Sequence, residues 1–155
     1  MGALQFDETL VRLFDAEELD TYRVEEELAT LLQEAGYVKG SYAAAIHARE
    51  ETFPTGLEVP GGLSVAVPHC DIEHVNRGAL CVGVLKRPVA WRRMDAAGLT
   101  CPVSLVVMLA LDEAHAHMEM LQKVIALIQD QELVGRIIAC ESPDEAFGLL
   151  AGKLA

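Results

Sequence analysis

The chain has 155 residues, 52% of them hydrophobic, which suffices for a substantial core in one domain without disulfide or metal support. Its 12 basic and 24 acidic residues give a formal net charge of −12, and no long basic cluster offers the phosphate-neutralising surface of a nucleic-acid-binding protein. No run approaches the roughly 18 apolar residues of a membrane span, and no signal-peptide pattern opens the sequence. We therefore expect a cytoplasmic protein that neither binds nucleic acid nor inserts into a membrane.

The first predicted helix follows a short strand. Apolar side chains at Leu10 to Phe14 predict the strand. From Val24 to Ala35 apolar residues recur at helical spacing, and Gly36 stands where a helix C-terminus favours glycine. Asp20 or Thr21 is available as the N-cap. We expect the acidic face of this helix to lie in water; it includes Glu25, Glu26 and Glu34.

A second helix is predicted from Ser41, as its N-cap, to about Glu51. Arg49 lies near its end, and we expect His47 to be a surface residue of the same helix. The segment Phe53 to Gly62 is rich in proline and glycine and predicts a loop. This loop leads directly into the next strand.

That strand is predicted over Val65 to Val67, because β-branched residues suit an extended backbone. Pro68 lacks the N–H that a continuing ladder needs, so the chain must leave the sheet there. His69 is thus presented at a strand end, a common place for binding and catalytic groups on α/β folds. From these residues alone, a histidine without a role is an equally good interpretation.

Two longer strands follow. Ala79 to Leu85 predicts a central strand, and Val89 to Trp91 a separate short one. The nearly continuous apolar run from Pro102 to Leu111 is typical of a strand covered on both faces, which requires helices on both sides of the sheet. The sequence therefore predicts one α/β domain over residues 1–155, a three-layer α/β/α fold with a mixed sheet of about five strands.

Three helices are predicted after Asp112. The first ends near Asp130, the second spans Glu132 to Cys140, and the third begins at Ser142, where Ser-Pro-Asp-Glu can form a capping box. In the first of them, the apolar stripe that we expect to be buried consists of Met118, Leu121, Val124, Ile125 and Ile128.

Histidines follow two of the predicted strands. His69 comes after one, and His115 and His117 come after the run that ends at Leu111. If these strands are parallel neighbours, the histidines emerge at the same edge of the sheet. Arg49 is a third candidate for that place. Cys70 is a further candidate nucleophile, although side chains of neighbouring residues in an extended chain point apart, which speaks against a Cys70/His69 pair.

Three motifs recur together in one known family. They are ARE with FPTGLEV between Ala48 and Val59, VAVPH at Val65 to His69, and HMEML at His117 to Leu121. In order and spacing they resemble the enzyme IIA domains of the mannitol/fructose class in the bacterial phosphoenolpyruvate-dependent sugar phosphotransferase system. GYV at Gly36 to Val38 and LKRPVAWRRM at Leu85 to Met94 are most similar to the galactitol-specific branch of that class.

The resemblance implies a phosphoryl carrier. His69 would accept a phosphoryl group from phospho-HPr and pass it to a cysteine of the cognate enzyme IIB, with Arg49 and His117 as supporting residues. These roles suit the residue types, since a neutral imidazole is a nucleophile near pH 7 and arginine can donate two hydrogen bonds to phosphoryl oxygens. Thr55 and the backbone around Gly56 would add donors. The resemblance implies neither a cofactor nor a metal, and it suggests galactitol or a related carbohydrate as the transported sugar.

Two alternatives stay open. Nitrogen-regulatory enzyme IIA proteins keep the relay histidine but act by binding other proteins. A metal site is also compatible with the H-x-D and H-x-H spacings. Its ligands would come from His69, Asp71, His74, His115 and His117. Without a metal, we expect Asp71 and His74 to order the turn after His69, and His115 to be exposed.

Overall fold

The computed structural model describes residues 4–154, apart from the side chain of Ala116. The strands are β1 (Val11–Phe14), β2 (Gly56–Leu57), β3 (Ser64–Ala66), β4 (Ala79–Arg92) and β5 (Thr100–Ala110). The helices are α1 (Thr21–Glu34), α2 (Tyr42–Thr52), α3 (His115–Gln129), α4 (Gln131–Ile138) and α5 (Pro143–Leu154). The strands form one sheet in the order β1-β4-β5-β3-β2. β1/β4 and β3/β5 pair in parallel, and β4/β5 and β2/β3 pair antiparallel.

Two apolar cores lie on the two faces of this sheet. Successive strand residues point to opposite faces, so in β4 Cys81 joins the core beneath α1 and α2 while Leu80 and Val82 join the core beneath α3, α4 and α5. Because both faces are covered, β4 and β5 are apolar almost without interruption over their central residues. The predicted three-layer fold with a mixed five-stranded sheet is confirmed.

The ends of α1 agree with the sequence prediction, but its acidic face does not. Asp20 is the N-cap, since its carboxylate accepts a hydrogen bond from the Arg23 N–H (2.8 Å), and Gly36 ends the helix with a φ of 87°. Glu25, however, is only 2% exposed, because this side of α1 packs against α2. The prediction that it lies in water is wrong.

One prediction about α2 is also wrong, and a second is confirmed only in part, because Ser41 occupies the N-cap position without a capping hydrogen bond. His47 is half-buried rather than a surface residue: its ring stacks on Tyr22, and its two nitrogens lie 2.9 Å from Glu25 and 3.0 Å from Glu26. The Ser41 hydroxyl does not cap the helix, because it forms a hydrogen bond with Nδ1 of His74 (2.8 Å). That bond ties α2 to the turn after His69.

The predicted break between Leu85 and Val89 does not divide β4. The strand continues to Arg92, with a shift of register between Val84 and Val89. The partner strand β1 pairs with β4 only as far as Leu85, so Pro88 has no neighbouring strand on that side. The missing N–H of Pro88 therefore breaks no hydrogen bond to β1. An irregularity in the ladder therefore replaces the expected gap.

The buried face of α3 differs from the predicted stripe. Met120, Val124 and Leu127 are buried, whereas Met118 and Ile125 are 60% and 44% exposed. The predicted and the observed residues both recur at helical spacing, so the spacing alone does not distinguish them. The observed residues are buried because that side of α3 packs against the sheet and α5. Ser142 caps α5 as predicted by accepting a hydrogen bond from the Glu145 N–H (3.2 Å). None of the helices within residues 4–154 is long and apolar enough to cross a bilayer.

Candidate active site

The two histidine-bearing segments leave the sheet side by side. β3 and β5 are parallel neighbours, as the shared-edge prediction requires, so the chain runs out of both strands at the same edge. His69 comes three residues after β3, and His117 lies in the first turn of α3, which follows β5. The centroids of their imidazole rings are 4.9 Å apart. The prediction that His69 and His117 lie at the same edge of the sheet is confirmed.

Arg49 reaches the same place from the last turn of α2. Its guanidinium forms an ion pair with Asp71 (Nη1 to Oδ1, 3.3 Å) and lies 5.4 Å from the centre of the Phe53 ring. Both charged side chains of the pair are partly open to solvent, so the ion pair contributes at most about 1 kcal/mol to stability. The guanidinium can therefore exchange Asp71 for another anion at small cost.

Arg49, His69 and His117 line two adjoining cavities, which makes them the centre of the candidate site. One cavity has a volume of about 250 Å³ and a mainly apolar wall, and the other has a volume of about 470 Å³. The first is completed by Phe53, Pro54, Thr55, Val67, Met94, Leu109 and Leu121, and the second by Cys70, Asp71, Ile72, Leu111, Glu113 and Ala114.

The tautomer of His69 follows from one hydrogen bond. Its Nδ1 lies 2.8 Å from the carbonyl oxygen of Val67, and a carbonyl only accepts, so Nδ1 carries the proton. In the neutral ring the electron pair is then on Nε2. The backbone at the end of β3 thus determines which nitrogen of His69 can act as a nucleophile.

The charge state of His69 favours the same role. Burial lowers the pKa of His69 below its ordinary value of 6.5, and the neighbouring positive charges of His117 and Arg49 lower this pKa further. The hydrogen bond to Val67 and the carboxylate of Asp71 oppose that shift. Because the balance favours the neutral form, His69 is uncharged at pH 7.

Thr55 lines the apolar cavity, but its two donors are already engaged. The Thr55 N–H and hydroxyl donate to the carboxylate of Glu50 at 2.7 and 2.9 Å. Gly56 belongs to β2, and its carbonyl accepts a hydrogen bond from the Met94 N–H (2.8 Å). The donors expected from Thr55 therefore point to Glu50 in this structure.

Other candidates from the sequence are arranged differently. Burial raises the pKa of the Cys70 thiol to about 12, so Cys70 is not a thiolate near neutral pH. His115 is exposed, as predicted, and His74 is hydrogen-bonded to Ser41. Within residues 4–154, no group of three or more histidine, cysteine or acidic side chains is arranged to hold a metal ion. Although His69 and His117 are neighbours, the five ligands of the metal-site alternative do not form such a group.

Sequence reasoning missed Glu50, which holds the Thr55 turn by two hydrogen bonds. Its carboxylate also accepts a hydrogen bond from the indole N–H of Trp91 (2.9 Å). Burial raises the pKa of Glu50, and the three hydrogen bonds oppose the rise. One signal was available in the sequence, since a buried tryptophan usually needs an acceptor for its N–H. Nothing in the sequence indicated that the acceptor would be Glu50.

Two curated relatives illustrate the similarity of this chain to known proteins. The 2-O-alpha-mannosyl-D-glycerate-specific EIIABC component of Escherichia coli K12 is 32% identical over 111 residues, which are 70% of this chain and 16% of that protein. The galactitol-specific EIIA component of Escherichia coli O6:H1 is 26% identical over 103 residues, or 66% of this chain and 67% of that protein. The chain thus spans only a small fraction of the first relative.

Solved structures share the fold. A putative PTS IIA (PtxA) from Streptococcus mutans matches with a TM-score of 0.76 and 25% identity, over 94% of this chain and 89% of that one. The mannitol enzyme IIA of Escherichia coli, in complex with phosphorylated enzyme IIB, matches with a TM-score of 0.76 and 21% identity, over 96% of this chain and 99% of that one. The nitrogen regulatory protein IIA-Ntr of Neisseria meningitidis matches with a TM-score of 0.69 and 24% identity, over 93% of this chain and 94% of that one.

The family assignment rests on nearly the entire sequence. The model of the family described as "Phosphoenolpyruvate-dependent sugar phosphotransferase system, EIIA 2" matches residues 5–153. The matched region contains all five strands, all but the last residue of α5, and the edge of the sheet where Arg49, His69 and His117 meet. The chain therefore belongs to the EIIA type 2 family of the sugar phosphotransferase system, a family of phosphoryl-carrier components.

Proposed function

We propose that His69 is the phosphoryl acceptor of this chain, receiving the group on Nε2 from phospho-HPr and passing it to a cysteine of an enzyme IIB. The observation that carries this proposal is the hydrogen bond from Nδ1 of His69 to the Val67 carbonyl. It leaves the electron pair on Nε2 of a ring that lines both cavities of the site. The low pKa of His69 keeps that pair available at pH 7.

Each transfer breaks one bond to phosphorus and forms another. Nε2 attacks the phosphorus of phosphohistidine in HPr, the N–P bond of the donor breaks, and the donor imidazole leaves with the electron pair. The attack gives the His69 ring a positive charge, which the Val67 carbonyl stabilises from the Nδ1 side. In the second transfer a cysteine thiolate of enzyme IIB attacks the same phosphorus and His69 leaves with its electron pair.

Arg49 and His117 would stabilise the phosphoryl oxygens. Charge in such a transfer is spread over three oxygens, so donors placed around them lower the barrier. Arg49 is held by a partly exposed ion pair with Asp71 and lies over the Phe53 ring, and from there it can turn to the phosphoryl group. The ring centroid of His117 lies 4.9 Å from that of His69, in the first turn of α3, where the helix dipole also favours an anion.

Phosphoryl uptake can be measured directly. The purified chain is incubated with phosphoenolpyruvate, enzyme I and HPr, and acid-labile label is detected on it. We expect label on the wild type and none on His69→Ala. The exposed residue His115 supplies the matched control, since His115→Ala should retain full label. Label that persists on His69→Ala, or is lost from His115→Ala, would contradict the assignment.

We further propose a single carrier domain over residues 1–155 that works in the cytoplasm with a transporter for galactitol or a related carbohydrate. The galactitol-specific relative supports that choice at 26% identity. A regulatory role is the second candidate, because the fold is shared with nitrogen regulatory protein IIA-Ntr. Transfer of label from the chain to purified galactitol-type enzyme IIB would support transport. Uptake of label without transfer, together with capture of a partner that is not a transporter, would support regulation.

A further inference from the structure

Glu50 lies at the centre of a buried hydrogen-bond network that the proposed transfer does not use directly. The residue is 7% exposed, and its carboxylate accepts three hydrogen bonds. Two come from the N–H and hydroxyl of Thr55 (2.7 and 2.9 Å), and one comes from the indole of Trp91 (2.9 Å). An ionised carboxylate accepts and does not donate, so all three donors are satisfied by one group. Removing that group would leave several buried donors without acceptors.

A chain of backbone hydrogen bonds leads from this network to His69. Glu50 holds the Thr55 N–H, and the Thr55 carbonyl accepts a hydrogen bond from the Val67 N–H (3.3 Å). The Val67 carbonyl in turn accepts the Nδ1–H of His69 (2.8 Å). A shift of the Thr55 turn therefore displaces the residue that selects the tautomer of His69.

The same carboxylate holds the end of α2. Glu50 is the neighbour of Arg49 in the last turn of that helix, and Thr55 lines a cavity together with Arg49 and His69. The hydrogen bonds from Thr55 to Glu50 close the short segment between the helix end and β2. One buried side chain thus ties the end of the helix that carries Arg49 to the Thr55 turn.

We propose that Glu50 is a positioning residue, which fixes the Thr55 turn and, through Val67, holds His69 in the tautomer with the proton on Nδ1. The importance of this tautomer for phosphoryl uptake rests on the function proposed above. Partners of a reactive histidine that fix its tautomer also fix its reactivity. The tautomer itself can be measured without any phosphoryl transfer.

The test compares wild type with Glu50→Gln. The amide keeps the size of the side chain but replaces one acceptor oxygen with a donor NH₂, so at least one of the three donors loses its partner. Nitrogen-15 NMR of the imidazoles at pH 8 should show His69 protonated on Nδ1 in the wild type and a mixture of both tautomers in the variant. The rate of phosphoryl uptake should fall roughly ten- to a hundredfold, as expected when a reacting group is misplaced.

Trp91→Phe is the matched control. It removes one donor to Glu50 and destabilises the fold but leaves both hydrogen bonds from Thr55 in place, so we expect the His69 tautomer to be unchanged. A wild-type tautomer and uptake rate in Glu50→Gln would overturn the proposal. So would an equal change of tautomer in Trp91→Phe, since that result would show a general loosening of the fold. Should Glu50→Gln fail to fold, the shorter carboxylate of Glu50→Asp replaces it, with the same expectations.

The outcome separates this inference from the proposed function. If the wild type takes up no phosphoryl group, the function is contradicted while the NMR comparison still decides the role of Glu50. If the wild type is phosphorylated and the tautomer of Glu50→Gln is unchanged, the function stands and the role of Glu50 is refuted.

Discussion

The imidazole of His117 lies 4.9 Å from that of His69, measured between ring centroids, and the two planes are inclined by 55°. A positive charge on one ring disfavours a positive charge on the other at this distance. Together with burial, which is the main cause, this contact lowers the pKa of His69. Proximity of the two histidines therefore bears on the pH at which His69 can react.

We expect phosphoryl uptake to slow as the pH falls through the pKa of His69, which lies below 6.5, because protonation removes the electron pair on Nε2. In His117→Ala this pKa should rise, since a neighbouring positive charge is lost. The uptake rate of the variant should fall about a hundredfold at pH 7.5 through loss of a donor to the phosphoryl group. NMR titration of His69 and rapid-quench labelling measure the two effects. An unchanged titration of His69 in His117→Ala would refute the electrostatic contact.

Arg49→Ala should reduce uptake strongly and stability hardly at all. Its ion pair with Asp71 is partly exposed, so we expect the free energy of unfolding to change by less than about 1 kcal/mol. The uptake rate should fall about a hundredfold, because a donor to the phosphoryl oxygens is lost. Asp71→Asn is the control: it breaks the same ion pair but leaves Arg49 free, and its uptake should be no slower than that of wild type. Equal loss of uptake in both variants would show that the ion pair, and not the guanidinium alone, is required.

Glu25 should make the fold less stable at alkaline pH. Burial raises the pKa of Glu25 from 4.5 to about 9, so the folded state holds a proton that the unfolded chain has released. The contribution of this bound proton to the free energy of unfolding is complete below about pH 4.5 and is lost as the pH rises through 9. Glu25→Gln keeps a donor for His47 without titrating, so at pH 9 it should exceed the wild type in stability by on the order of 2–4 kcal/mol.

Urea unfolding at pH 5, 7 and 9 measures this difference. The exposed Glu34 provides the control, since Glu34→Gln should follow the wild type at each pH. Parallel curves for wild type and Glu25→Gln would mean that Glu25 does not hold its proton in the folded state.

A β-carbon at Gly56 should destabilise β2. It would lie 2.6 Å from the carbonyl oxygen of Arg92, which is backbone and cannot move aside alone. We expect Gly56→Ala to cost about 1–3 kcal/mol in thermal or urea unfolding. At Gly98 a β-carbon meets nothing within 4 Å, so Gly98→Ala should stay within about 0.5 kcal/mol of wild type. Equal stability of the two variants would contradict the close approach of Gly56 to Arg92.

Local sequence signals were sufficient for the ends of α1 and for the end of the strand before His69. Asp20 and Gly36 mark the ends of α1 because capping depends on residues within one turn of the helix terminus. Pro68 marks the exit from the sheet for a reason contained in its own ring. The resemblance to a known family then placed Arg49 and His117 beside His69, and the structure brings all three to one pair of cavities.

Contacts between distant segments were decided only by the tertiary structure. The sequence shows Glu25 and Glu50 as acidic residues of two predicted helices. Helical spacing cannot tell which of them faces a partner helix or a buried indole. Packing of α2 against α1 buried Glu25 and raised its pKa, and the approach of Trp91 and Thr55 gave Glu50 its three donors. The sequence by itself determined that a histidine stands at the end of a strand. Which nitrogen of His69 is free to react depends on a carbonyl at 2.8 Å, and only the folded backbone determines that distance.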